Sequence, residues 1–353
     1  MMNRKSLTAR AMTRAPVTFK KFLVEEQRRF PEATGELTTL LLDVASACKA
    51  IARNAIQRRF EGEMSQQPER YAVECFLLAT ENSGALSGLL SGQGPHSVPM
   101  GQPRGHYLLL IDALNGAPNL EVNGPAGSIF SILRSEVGRD VTQEDFLQQG
   151  QAQVAAGYVL YGPVTMLVLS LGNGVHGFSL DPFLGDFYLT HPDIKMPGES
   201  SEVAVRAAHG RTSSGPAQAY LEECLAGASG VRGQDFAVRW IVSTVADVHR
   251  LLLRGGVVLY PADERGGLDP RETGRPRLLY EANPLGFLVE QAGGRASTGR
   301  EALLGVVPTA LHQQIGMALG SAREIEHIER HYADPFASRS GQPLFGDRGL
   351  FRA

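Results

Sequence analysis

The 353-residue chain carries 43% hydrophobic residues, 40 glycines and a formal net charge of −3, enough apolar mass for a sizeable core, split into two lobes. Acids and bases are interspersed, so there is no electrostatic footprint for nucleic acid or for an anionic membrane surface. The best candidate for a membrane span, "VTMLVLSLG" at 164–172, is strand-sized, well short of the roughly 18 to 20 residues that cross a bilayer, and a soluble, cytoplasmic protein is expected. Cys48, Cys75 and Cys224 are odd in number and far apart, which predicts reduced, buried thiols rather than a disulfide frame or a zinc site.

In chain order, residues 1–16 read as a flexible basic tail. After the Thr34-Gly35 turn, Leu37, Leu40, Leu41, Val44, Cys48, Ile51, Ala52 and Ile56 recur at helical spacing, which predicts a long helix from Glu36 to about Arg59 with one buried face. "EGEMSQQPERY" is a polar break, and "YAVECFLLATEN" is a buried helix end or a strand closing on Glu81. Four segments with β-branched, aromatic and Gly-turn signals follow: "HYLLLID", "GSIFSILR", "AAGYVLYGPVTMLVLSLG" and "GVHGFSLDPFLGDFYLTH". They predict an antiparallel-rich sheet. Beyond a boundary near 192–202, "PAQAYLEECLAG", "RWIVSTVADVHRLLLRGG", "NPLGFLVEQAGG" and "EIEHIERHY" read as helices and "VVLYPA" as a strand. The fold class is a layered α/β protein, divided as 17–197 and 198–335, with a tail at 336–353. Asp247 and His249, two apart on one helix, face different ways and make no metal pair; both are expected to be satisfied structural residues.

One short stretch carries chemistry. "IDALNGAPN" (111–119) ends an apolar strand on a lone carboxylate, Asp112, where a D-x-x-D-G pattern would bring two carboxylates and a carbonyl onto one hard cation. The second acid position is Asn115.

Together with "TGELT" (34–38), "LVLSLGNGV", "FSLDPFLGDFYLTHPDIKMP", "STVADVHRLLLRGGVVLYPA" and "RLLYEANPLGFLVEQAGGRASTG", this stretch resembles class I fructose-1,6-bisphosphatase, in order from about Val17 to Tyr332. The resemblance implies that family's layered sugar-phosphatase fold. It also implies a Mg²⁺- or Mn²⁺-dependent phosphomonoesterase that removes the 1-phosphate of fructose 1,6-bisphosphate, in a homo-oligomer (dimer or tetramer). The metals would neutralise phosphate charge and activate water. Carried over residue by residue, the metal ligands are Glu81, Asp112, the Leu114 carbonyl, Asn115 and Glu281, with Glu81, Asp112 and Asn115 in the catalytic role. Asn115, Gly116, Asn119, Arg239, Trp240, Tyr260 and Arg275 fall on substrate positions.

The sequence departs from the family pattern around that same point. Asn115 keeps an oxygen but loses the charge that a hard dication favours. Asn82 follows the first glutamate, and Ala117 and Pro118 stand where the family has two serines; proline has no N–H to offer a phosphate. Only 42 residues separate Thr38 from Glu81, without the family's lysine- and acid-bearing upstream motif, and Glu61 and Glu63 read as solvated surface. In place of the family's N-E-G segment stands "AAHGR", where His209 or Arg211 is a substitute phosphate contact or part of an exposed loop. Hydrolysis is therefore expected to be weakened or lost. The alternative is a silent nucleotide- or sugar-phosphate-binding regulator, or a partner subunit in a hetero-oligomer with an active relative.

The family's AMP site is matched in full at Thr34, Gly35, Glu36, Leu37 and Thr38, where a helix N-terminus can receive a phosphate. Tyr107 and Arg134 match two further contacts, and His106 replaces a lysine.

Overall fold

The computed structural model describes residues 16–29, 34–57, 67–93, 98–99, 105–135, 139–205, 215–239, 241, 243–261 and 275–334. Among them, the expected long helix is α2 (Glu36–Gln57), preceded by α1 (Phe19–Gln27). Thr18 caps α1 by accepting from Lys21 N–H. The ambiguous segment before Glu81 is a helix, α3 (Pro68–Thr80), with Pro68 at its first turn, where the missing N–H costs nothing.

The first sheet has eight strands: β1 (Leu86–Ser91), β2 (Val98–Pro99), β3 (Tyr107–Asn115), β4 (Ala126–Arg134), β5 (Ala155–Tyr161), β6 (Met166–Ser170), β7 (Val175–Asp181) and β8 (Asp186–His191). Their order is β2-β1-β3-β4-β5-β6-β7-β8, antiparallel throughout except for the parallel pair β1/β3. The second sheet, ordered β10-β9-β11-β13-β12, is built from β9 (Glu202–Val205), β10 (Ala237–Arg239), β11 (Val257–Tyr260), β12 (Arg295–Ser297) and β13 (Met317–Gly320). Four helices flank it: α4 (Pro216–Leu225), α5 (Thr244–Arg254), α6 (Asn283–Gln291) and α7 (Ala322–Ala333).

Side-chain alternation along the strands sorts the layers. Phe130, Val159, Leu167 and Phe178 pack with Leu40, Val44, Ile51 and Phe76 of α2 and α3 on the outer face of the first sheet. Their neighbours Ile129, Tyr158 and Val168 face the other way, against Val245, Val248 and Leu252 of α5 and Leu285 and Leu288 of α6, which also cover Val258 and Leu319 of the second sheet. Val203, Val257 and Leu259 turn outward onto Tyr220 and Cys224 of α4 and Ile325 and Ile328 of α7. The result is a five-layer helix-sheet-helix-sheet-helix stack. Each sheet is buried on both faces, which is why β3 and β4 read as nearly continuous apolar runs.

One expected helix starts later than its apolar pattern suggests. Arg239 ends strand β10, and α5 begins only after Ser243, whose extended backbone and hydroxyl accepting from Ala246 N–H at 3.4 Å form an N-cap. The three cysteines are free and buried, as expected. No helix among the described residues is long and apolar enough to cross a membrane.

Candidate active site

Strand β3 delivers Asp112 to the seam between the first sheet and the second half of the chain. Its pairing with β4 slips between Asp112 and Asn115, so that Ala113 and Leu114 oppose a single residue, Ser128. Such a bulge re-aims the strand end. The Ser128 hydroxyl holds it by donating to Ala113 O at 2.6 Å. Gly116 then turns the chain at φ +75°, and a Cβ there would lie 3.2 Å from the Ser243 side chain, so a side chain at this position would be both strained and crowded.

Asp112 is buried, and both of its oxygens are engaged. Gln93 donates to Oδ1 and accepts from Ala113 N–H at 3.0 Å, and Asn115 Nδ2 donates to Oδ2 at 3.0 Å. The same Asn115 amide reaches Glu281 Oε2 at 3.3 Å. Glu281 comes from a π-helical turn, Leu278–Ala282, the kind of irregular turn that recurs at functional sites. Its other oxygen accepts from Arg277 N–H at 3.2 Å, and the Arg277 guanidinium is held by Gly92 O. Burial, then the Asp112 charge, push Glu281 up to about 8, against the hydrogen bonds and charge from Arg277 and Asn115. Burial raises Asp112 as well. Two desolvated carboxylates here share one neutral amide donor.

Asn115 Oδ1 is buried without a hydrogen-bond partner. Turning the amide over would place that oxygen among the carboxylates, an arrangement favourable only with a cation, or a proton on Glu281, between them. Asp112 and Glu281 thus offer two oxygen donors of the kind a hard divalent ion takes, which Asn115 Oδ1 could join only by such a turn. Glu81 is the C-cap of α3, exposed, with its N–H on Leu77 O at 2.9 Å. Asn119 serves its own loop, donating to Pro125 O at 2.9 Å. Gln93 and Arg277, which support the two carboxylates, carried no motif signal. Only the i, i+4 spacing of Arg277 and Glu281 hints at the second.

The substrate positions are more dispersed. Tyr260 Oη meets Thr244 Oγ1 at 3.2 Å at the start of α5. Arg275 is half-buried, and burial lowers its pKa. Arg239 is exposed on β10, the edge strand of its sheet. Trp240, Glu61, Glu63, His209 and Arg211 lie outside the described residues. Asp247 is buried and held by a backbone hydrogen bond from Ile241, while its Oδ1 has no partner within the chain and burial pushes it up to about 6. His249 meets Tyr158 Oη at 2.8 Å, and burial pushes it down to about 4.

The amino-terminal group is brought together. Gly35 turns at φ +87° before α2, and Thr34 Oγ1 accepts from Glu36 N–H at 3.5 Å. Thr38 donates to Gln27 at 2.9 Å, and Leu37 packs onto the core. His106 Nδ1 meets Glu36 Oε2 at 2.5 Å, beside Tyr107, which stands opposite Arg134 in the β3/β4 ladder.

Residues 17–192 match the family described as fructose-1-6-bisphosphatase, N-terminal domain, and residues 196–333 its C-terminal domain. The chain belongs to the class 1 fructose-1,6-bisphosphatases. It is 48% identical over 351 residues to the fructose-1,6-bisphosphatase class 1 of Hydrogenophilus thermoluteolus, covering 95% of this chain and 97% of that one. It is 46% identical to that of Rhodospirillum rubrum, covering 95% and 98%. The holo form of Leishmania major fructose-1,6-bisphosphatase superposes with a TM-score of 0.81 at 29% identity, over 90% of this chain and 99% of that one. This family membership places the chain among the hydrolases of carbohydrate metabolism, a family that uses divalent metals.

Proposed function

We propose that this fructose-1,6-bisphosphatase family protein takes a sugar bisphosphate beside Asp112, Asn115 and Glu281, and that metal-dependent hydrolysis of the 1-phosphate is weakened or lost. The observation that carries the reading is the Asn115 amide, which donates to Asp112 and Glu281 from the position where the family pattern has a third carboxylate. Asp112, Glu281, the Leu114 carbonyl and Asn115 Oδ1 would hold one Mg²⁺ or Mn²⁺ ion. Such an ion supplies phosphate charge neutralisation and a more acidic water.

The chain's own residues then do less than the family pattern asks. Ala117 and Pro118 offer the phosphate no hydroxyl, and Pro118 no N–H. Glu81, at the exposed end of α3, is proposed as the remaining ligand of the same ion. Arg275 and Tyr260 are the groups proposed to grip the sugar and its distal phosphate, with arginine bidentate where the family uses lysine. Arg239, exposed on the edge strand of the second sheet, is the residue proposed to reach a neighbouring subunit, in a homo-oligomer or beside an active relative, and Trp240, the next residue in sequence, is proposed as a substrate contact.

Phosphate release from fructose 1,6-bisphosphate over Mg²⁺ and Mn²⁺ titrations, alongside an active class 1 enzyme, tests this. The expected result is slow, metal-dependent turnover that Asp112→Ala abolishes. Turnover matching the active enzyme overturns the loss, and turnover unchanged in Asp112→Ala overturns the site.

A second reading has its own support in the assembled group at the start of α2. AMP is proposed to seat its phosphate on the N–H groups of 34–38, with Tyr107 and Arg134 beside it, which suits a regulator. Calorimetry with AMP tests it, and the absence of heat at millimolar nucleotide removes it.

A further inference from the structure

The outermost helix layer, away from the cleft, holds a cluster that the bisphosphatase reading does not use. Glu223 lies on α4, and His327 and His331 lie on α7, one helical turn apart on the same face. Their ligand atoms all fall within 4.8 Å of one another. His327 Nε2 is 2.7 Å from Glu223 Oε2, and His331 Nε2 is 3.2 Å from Glu223 Oε1. The two imidazoles stand nearly perpendicular, at 88°, with centroids 5.0 Å apart.

As a hydrogen-bonded cluster, the arrangement is incomplete. His331 is only 6% exposed, yet its Nε2 has no hydrogen-bond partner, because the approach to Glu223 fails on direction rather than distance. A buried imidazole nitrogen left unmatched is costly. Two donors on one tetrahedral ion at bond lengths of about 2.0–2.1 Å sit roughly 3.3 Å apart. The 3.2 Å spacing of His331 and Glu223, poor for a hydrogen bond on direction, is therefore close to that of two ligands of one ion, whereas the 2.7 Å His327–Glu223 hydrogen bond would open by roughly 0.6 Å to admit it.

We infer that Glu223, His327 and His331 form a transition-metal site of the Zn²⁺ class that clamps α4 to α7 over the second sheet. Two imidazoles and one carboxylate suit Zn²⁺ and disfavour Mg²⁺, which prefers oxygen donors. Glu223 and His327 are partly exposed (18% and 25% of their side chains) and His331 is buried, so the cluster is within reach of an ion from solvent. Nearby charge does not oppose a cation. Arg232, stacked on Tyr220, is taken up by both Glu324 oxygens at 2.7 and 2.8 Å, and Tyr220 lies against the His327 ring.

The test is metal titration of the full-length protein in excess Mg²⁺, with Zn²⁺ read by competition with a chromophoric chelator and Co²⁺ read by its visible absorption. One Zn²⁺ per chain is expected, with an intense low-coordinate Co²⁺ spectrum and a raised melting temperature. His327→Ala and Glu223→Gln, at partly exposed positions, are each expected to lower affinity at least tenfold and abolish the melting shift, with circular dichroism confirming that they fold. Asp112→Asn is expected to change none of these. Failure to bind Zn²⁺ in Mg²⁺ excess overturns the inference. So does binding that survives both helix variants or disappears in Asp112→Asn. The Asp112→Asn arm separates failure of this site from failure of the cleft.

Discussion

Both the cleft around Asp112 and the group at the start of α2 depart from the family pattern, but with different physical consequences. In the cleft the departure removes a charge from a buried place, and the remaining carboxylates must be satisfied by a neutral amide, by Gln93 and by protonation of Glu281. At α2 the replacement is partly exposed, and His106 simply finds Glu36. A substitution in a desolvated site alters what the site can hold, whereas one in contact with water mostly alters how tightly it holds it.

The largest expected effect would break the comparison from the buried side. With chelator present, Glu281 ionises in the unfolded chain near 4.5 and in the folded chain near 8. Protonation is thus favoured by folding. The linked stability is complete below pH 4.5, is lost progressively as pH rises to about 8, and falls no further above it. Glu281→Gln is expected to flatten this slope and to gain on the order of a few kcal/mol over the native chain at pH 8. Denaturant unfolding from pH 5 to 9 measures it, and an unchanged slope means that Glu281 is solvated.

Asn115→Asp sharpens the contrast by restoring the charge. Without metal it should lower stability, and with Mn²⁺ it should raise both cation affinity and phosphate release at least tenfold, roughly 1.4 kcal/mol. A variant that gains no metal affinity shows that Ala117, Pro118 and the upstream segment, not charge, limit the site.

Effects at the amino-terminal group should be smaller. Arg134→Ala is expected to weaken AMP about fivefold to tenfold by calorimetry, in line with loss of one charged contact. His106→Lys should change AMP affinity by less than about threefold and stability by less than about 1 kcal/mol, the range of surface pairs. A larger stability loss would mean that the Glu36 contact is structural.

Much of this was legible in the residues. The α2 stripe, the β3 and β4 runs and the "IDALNG" turn are local patterns, and local patterns fix elements. The start of α5 was not: "RWIVS" continues an apolar rhythm, and only the Ser243 capping geometry shows where the helix begins. Nor could periodicity reveal the slip in β3, the π-turn that presents Glu281, or Gln93 beneath Asp112. Each depends on contacts between distant segments. Glu81 kept its place in the motif but sits exposed at the end of a helix.

The hydrogen bond from Asn115 to Glu281 joins residues 166 positions apart, one in each family-defined half of the chain. It is therefore a latch between the halves as well as part of a site. Alkaline deprotonation of Glu281 sets two like charges on opposite sides of that latch, so the metal-free protein should loosen first along this seam, with amide exchange at 112–116 and 278–282 accelerating together.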